Sequence, residues 1–208
     1  MFITFEGIDG SGKTTQSKLI ANYFRQILGE HHVVLTREPG GTLFAEEIRK
    51  ILLKNNIAPL SELLLLLSLR YEHMNKIILP SLEKGKIVIC DRFIDSTIAY
   101  QGYALGLDLD LIRYLHQLVK IQYPDMTFVL DIEIAMGLKR TKIKTKYEKM
   151  NRSLYEKVRM GFQKIAIKEP KRCILISHIE DKCQNQVYRE IVSYLQHSSL
   201  RRIYSITK

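Results

Sequence analysis

Residues 7–14 read Gly-Ile-Asp-Gly-Ser-Gly-Lys-Thr, a complete G-x-x-x-x-G-K-[ST] loop. Spaced this way, the residue types can cradle phosphate. The glycines let backbone N–H groups turn inward without a Cβ in the way. Lys13 supplies a cation for β- and γ-phosphates. Thr14 supplies a hydroxyl for Mg²⁺, and a following helix would add the positive end of its dipole. Gly7, Ile8, Asp9, Gly10, Ser11, Gly12, Lys13 and Thr14 are therefore the expected contacts for a nucleoside triphosphate.

Two further clusters have the right chemistry. Arg37-Glu38-Pro39-Gly40-Gly41-Thr42 is a turn rich in Pro and Gly that follows an apolar run. It reads equally as an anion-binding turn and as an ordinary connection with a surface Arg. Asp91-Arg92-Phe93 closes another apolar run. An acid there suits a metal contact, and Arg92 suits a bidentate phosphate clamp. The plainer reading is a structural ion pair at a strand end.

These clusters need a scaffold. Apolar strand-like runs at 2–6, 33–36, 86–90, 126–131 and 172–177 alternate with helical patterns. The helical patterns fall at 13–28, 43–53, 60–83, 95–102, 108–121, 133–167 and 183–197, with a break or end expected near Pro80. The alternation predicts an α/β fold, a parallel sheet with helices on both faces. Such sheets bind ligands at the carboxyl ends of their strands, and every cluster above falls at such an end.

The chain has 208 residues, so one domain is expected. Hydrophobic residues make up 46%, enough for a full core. No apolar run reaches the length of a membrane span, and residues 2–6 read as a strand, not as a signal peptide. A cytoplasmic protein with no membrane partner is expected. Cys90, Cys173 and Cys183 share no metal-ligand spacing and read as reduced thiols. The net charge of +10 calls for an anionic partner. The charge concentrates at 139–152, where Lys or Arg at 139, 140, 142, 144, 146, 149 and 152 faces a single acid, Glu148. There is no Trp and no interleaving of aromatic and basic residues, so nucleic acid is not the expected partner.

Three segments together carry a resemblance. They are Phe5-Glu6-Gly7-Ile8-Asp9-Gly10-Ser11-Gly12-Lys13-Thr14-Thr15, Thr36-Arg37-Glu38-Pro39-Gly40-Gly41-Thr42, and Asp91-Arg92-Phe93-Ile94-Asp95-Ser96-Thr97-Ile98-Ala99-Tyr100-Gln101-Gly102. In order and spacing they closely resemble the bacterial thymidylate kinases, over essentially the whole chain. The resemblance implies a P-loop NTPase-type three-layer sandwich with about five parallel strands. It implies transfer of the ATP γ-phosphoryl group to dTMP, Mg²⁺ and a homodimer. By the same resemblance, Lys13 and the loop amides hold the ATP phosphates and Thr14 the metal, where Asp91, read above as an acid at a strand end, would join it. Asp9 contacts the sugar 3′-hydroxyl, and Arg37 and Arg92 grip phosphates. Arg70 bonds a thymine carbonyl, and Ser96 belongs to the same site. Thr97 reads the thymine edge, Tyr100 crowds the sugar 2′ position, and Gln101 lines the pocket.

Residues 139–152 match the family's basic lid. The loop's Gly10-Ser11 offers no cation, so the lid would bring one to the transition state. Arg140 is placed to approach adenine. Relatives carry Arg in the lid; here Lys142, Lys144 and Lys146 stand there, point charges without the guanidinium fork. Leu66 stands where relatives stack a Phe on thymine. The alternative reading is a triphosphate-binding regulator or nucleic-acid-binding module without an acceptor.

Overall fold

The computed structural model describes residues 1–140, 152–177 and 182–203. Five parallel strands form one sheet: β1 (Phe2–Glu6), β2 (Val33–Arg37), β3 (Ile87–Asp91), β4 (Met126–Asp131) and β5 (Cys173–Ser177). Their order is β2-β3-β1-β4-β5. β1 is central, with Ile3 opposite Ile89 on one side and Met126 on the other. The order therefore sets the ends of β3 and β4 beside the loop that leaves β1.

Both faces of the sheet are buried, as expected of an all-parallel sheet. On one face α1 (Lys13–Leu28) and α9 (Gln184–Ile203) cover Ile3, Phe5, Ile89 and Phe128 through Ile20, Phe24, Val187 and Ile191. The other face carries α3 (Pro59–His73), with α4 (Leu79–Glu83) and α8 (Arg152–Lys168). α2 (Leu43–Lys54), α5 (Ile94–Thr97), α6 (Leu109–Leu118) and α7 (Ile134–Arg140) complete the helices described. Local chemistry marks their starts. Thr42 Oγ1 accepts from Ala45 N at 3.1 Å to cap α2, and Asp108 Oδ1 accepts from Asp110 N at 2.6 Å to cap α6.

The break expected near Pro80 does not occur. A π-helical turn, Met74–Ile78, carries α3 directly into α4. Pro80 then lies in the first turn of α4, where its missing N–H is tolerated. A second π turn, Ile98–Ala104, extends α5, with Leu105 N bonded to Tyr100 O at 2.9 Å. The helical pattern at 133–167 resolves into α7 and α8; residues 141–151 between them lie outside the described residues. Cys90 and Cys173 are buried free thiols, and Cys183 is an exposed one. No helix among the described residues is long and apolar enough to cross a membrane.

Candidate active site

The loop between β1 and α1 lies across the carboxyl end of the sheet. Gly10 has φ +78°, and a Cβ there would come within 2.1 Å of Gly137 O. The loop thus rests backbone-to-backbone on α7, in a conformation only glycine adopts without strain. Lys13 is buried, and its Nζ donates to Ile8 O at 2.7 Å. Burial, then the nearby Arg92 charge, pulls the Lys13 pKa down to about 8, against the pull of Asp9, Asp91 and Glu6.

Around this loop opens a cavity of about 670 Å³, lined by residues 9–16, Arg37, Glu38, Arg49, Asp91, Arg92, Arg140 and residues 182–184. Thr14 Oγ1 donates to Asp91 Oδ2. The second carboxylate oxygen, Asp91 Oδ1, is buried without a partner. One orphaned carboxylate oxygen beside one hydroxyl fits Mg²⁺, which takes few protein oxygens and completes its shell with phosphate and water. No cluster of three His, Cys, Asp or Glu suited to a metal occurs among the described residues.

A second cavity, of about 380 Å³, shares Asp9, Glu38, Arg49 and Arg92 with the first. Its remaining walls are Pro39, Leu53, Leu66, Arg70, Phe93, Ser96, Thr97, Tyr100 and Gln101. Arg92 stands between the two cavities. It holds φ +71°, rare for a residue with a side chain. Its guanidinium pairs with Asp9, donates to Gly7 O at 3.1 Å and Ser96 Oγ at 3.0 Å, and lies 5.3 Å from the Tyr100 ring centre. Burial disfavours the Asp9 carboxylate, but Arg92 and Lys13 together hold its pKa below the usual value.

Beneath this arginine, Glu6 accepts from Phe93 N (2.7 Å), Ser96 N (3.2 Å) and Ser96 Oγ (2.6 Å). Burial and the Asp95 charge push its pKa up to about 7 against those bonds and Arg92. Deeper in the cavity, Thr97 Oγ1 is buried without a partner, a hydroxyl suited to a polar ligand edge. Gln101 Nε2 donates to Glu62 at 2.7 Å, fixing one end of its amide.

Comparison with known proteins gives this two-cavity site its family. The thymidylate kinase family profile matches residues 5–191. The chain belongs to the thymidylate kinase family. It is 70% identical over 193 residues to the thymidylate kinase of Wolbachia sp. subsp. Brugia malayi (strain TRS), covering 93% of this chain and 94% of that one. It is 68% identical to that of Wolbachia pipientis wMel, covering 92% and 98%. The crystal structure of thymidylate kinase from Ehrlichia chaffeensis superposes with a TM-score of 0.79 at 49% identity, covering 94% of this chain and 98% of that one.

As a thymidylate kinase, the chain brings together nearly all the residues its sequence singles out. Asp9, Leu66, Arg70, Arg92, Ser96, Thr97, Tyr100 and Gln101 line the second cavity, and Arg140 lines the first. Arg37 differs: of these two cavities it lines only the first, and its guanidinium forks onto Glu46 through Nε–Oε1 at 3.1 Å and Nη2–Oε2 at 2.9 Å. Lys142, Lys144 and Lys146 lie outside the described residues.

Arg49 is a residue that sequence reading missed. It lines both cavities and donates to Pro39 O at 2.6 Å. Nothing marks it in the sequence, because it is one cation among several on α2. Glu6 and Glu38 were also missed, though each is a carboxylate beside a Gly-rich turn; His116, inside α6, carries no such signal.

Proposed function

We propose that the chain transfers the γ-phosphoryl group of ATP to the 5′-phosphate of dTMP, giving ADP and dTDP. The carrying observation is the shared wall: two cavities meet at Asp9, Glu38, Arg49 and Arg92. The larger one takes the donor triphosphate on the loop amides and Lys13. The smaller takes a deoxynucleoside monophosphate, with Leu66 over the base and Tyr100 beside the sugar. A regulator that only bound a triphosphate would have no use for it.

Phosphoryl transfer needs positioning and charge neutralisation rather than a covalent intermediate. Lys13, Arg49 and Arg92 meet the phosphates of both substrates, and Arg37 reaches them on leaving Glu46. Thr14 and Asp91 would hold Mg²⁺, which shields the β- and γ-phosphate charge when bound. Each charge-assisted hydrogen bond contributes roughly 1.5–3 kcal/mol. Those that strengthen in the transition state raise kcat rather than affinity.

The whole chain, 1–208, acts as one kinase domain with residues 139–152 as a basic lid. One of Lys142, Lys144 and Lys146 supplies the cation that Gly10-Ser11 lacks. Changing each singly to Ala is expected to lower kcat strongly at one position, and three unchanged values would remove the lid from the mechanism.

The chain works in the cytoplasm as a homodimer. Phe44 and Ile51 on α2, Leu60, Leu64 and Tyr71 on α3, and Tyr114 and Leu118 on α6 are exposed apolar side chains suited to a second copy. Light scattering on the purified protein measures this, and a monomer at micromolar concentration would count against it.

The deciding assay couples ADP formation to a readout with ATP, Mg²⁺ and each common nucleoside monophosphate. dTMP should be the preferred acceptor. Preference for another monophosphate, or hydrolysis without any acceptor, would reassign the function.

A further inference from the structure

Arg70 reaches the second cavity from α3 with its guanidinium almost fully committed. It is 2% exposed. Nε donates to Glu38 Oε2 at 2.7 Å, Nη2 to Phe93 O at 3.2 Å, and Nη1 meets His116 Nε2 at 2.7 Å. The group also lies 5.2 Å from the centre of the Phe93 ring. A guanidinium has five N–H donors in a rigid fork, so three fixed bonds settle where the remaining two point. Arg70 lines the smaller cavity, so that direction is available to a ligand.

His116 comes from α6 and is fully buried. Arginine has no acceptor, so Nε2 of His116 must accept. The imidazole is therefore neutral, with its proton on Nδ1. Burial, then the Arg70 charge, lowers the His116 pKa to about 3; the Ile112 carbonyl one turn back opposes this only in part, and Nδ1 makes no hydrogen bond of good geometry. A proton on Nε2 would set two donors face to face. The acceptor offered to Arg70 is thus constant across neutral pH. A carboxylate at this place would crowd a second negative charge against Glu38 around one guanidinium.

We propose that His116 is a positioning residue for base recognition. It sets the rotation of Arg70 so that the two uncommitted N–H groups face an acceptor carbonyl of a pyrimidine held in the smaller cavity. The inference rests on the dTMP kinase reading above, and it concerns a residue on a different helix from those that touch the substrate. Glu38 neutralises Arg70, while His116 aims it. A base presenting an amine at the same edge would meet donors with donors, and so be rejected.

The test uses the full-length protein and steady-state kinetics with dTMP, dCMP and ATP. His116→Leu removes the acceptor and leaves a buried N–H unpaired. It should raise KM for dTMP about tenfold or more, with kcat and KM for ATP changed little. Its dTMP-over-dCMP preference should fall in step. His116→Gln, whose Oε1 reaches near the position of Nε2, should recover most of the loss. His116→Asn, one bond shorter, should not. The Gln–Asn pair keeps the question answerable if the Leu variant folds poorly.

An unchanged KM for dTMP in folded His116→Leu, or equal behaviour of the Gln and Asn variants, would overturn the positioning role and leave the kinase reading standing. Wild-type protein that fails to phosphorylate dTMP would overturn both.

Discussion

Thr14 Oγ1 donates to Asp91 Oδ2, joining the first turn of α1 to the last residue of β3. The two groups expected to share a cation are therefore already in contact, and Asp91 Oδ1 is left buried and unpaired beside them. Asp91→Asn should raise the half-saturating Mg²⁺ concentration about tenfold, the scale seen when groups around a metal are altered. Thr14→Val should act in the same direction. Titrating Mg²⁺ at fixed ATP and dTMP checks this, and an unaltered requirement in both variants would take these residues out of the metal site. Chelation by EDTA should abolish turnover of the wild-type protein.

Lys13 gives a pH prediction with a definite sign. Its pKa in the free protein is lowered to about 8 by burial and Arg92. A triphosphate seated against it favours the charged form and raises that value. ATP binding near pH 8 should therefore take up a proton, and KM for ATP should rise as pH climbs through about 8. Calorimetry in buffers of different ionisation enthalpy measures the uptake directly. Proton release, or none, would show that Lys13 does not meet the phosphates.

Glu6 makes a prediction about stability. Its folded pKa is raised from 4.5 to about 7, so folding favours the protonated form. The stability this adds is complete below about pH 4.5 and lost as pH rises through about 7. Asp95, Arg92, Ser96 and Phe93 are the groups that face it. Glu6→Gln cannot titrate, so the Tm difference between variant and wild type should shift in the variant's favour over that window and then level off. Thermal melts across the window check it; a constant difference would falsify the raised pKa.

The contact between Gly10 and Gly137 yields a fourth expectation. A Cβ on Gly137 would stand 2.6 Å from Asp9 O, which is backbone and cannot swing aside. Gly137→Ala should displace the phosphate loop and lower kcat/KM for ATP about tenfold, at an overpacking cost of roughly 1–3 kcal/mol. Leu138→Ala, at an exposed position on the same helix, is the control expected to change neither. Equal kinetics for both variants would mean that the loop tolerates movement against α7.

The five strands and the phosphate loop were readable because parallel strands buried on both faces are unbroken apolar runs, and the loop's glycines keep the spacing that a phosphate cradle requires. Thr97, Tyr100 and Gln101 were readable only through resemblance, since hydrophobic periodicity says nothing about which polar side chain enters a cavity. Arg49 was not readable: a cation on an amphipathic helix looks solvated until the neighbouring turn is placed against it. His116 was hidden for the related reason that its partner lies 46 positions away. The helical pattern at 60–83 was legible to its end at Glu83; only the break expected near Pro80 was misplaced, because Pro80 falls in the first turn of α4, where no N–H is required.

The widened turn at Ile98–Ala104 has a further consequence for how acceptor choice could change. In a regular helix the side chains of Tyr100 and Gln101 have directions fixed by their place in the sequence. Here one surplus residue per turn sets the phase instead. A single deletion within 98–104 would let the segment relax to ordinary winding; the lost residue and the tighter winding cancel, so the chain beyond keeps its phase, while side chains inside the segment, Tyr100 and Gln101 among them, turn by roughly tens of degrees. One such event would re-aim these side chains relative to the monophosphate while leaving their identities untouched. The acceptor pocket can thus be retuned by insertion and deletion as well as by substitution.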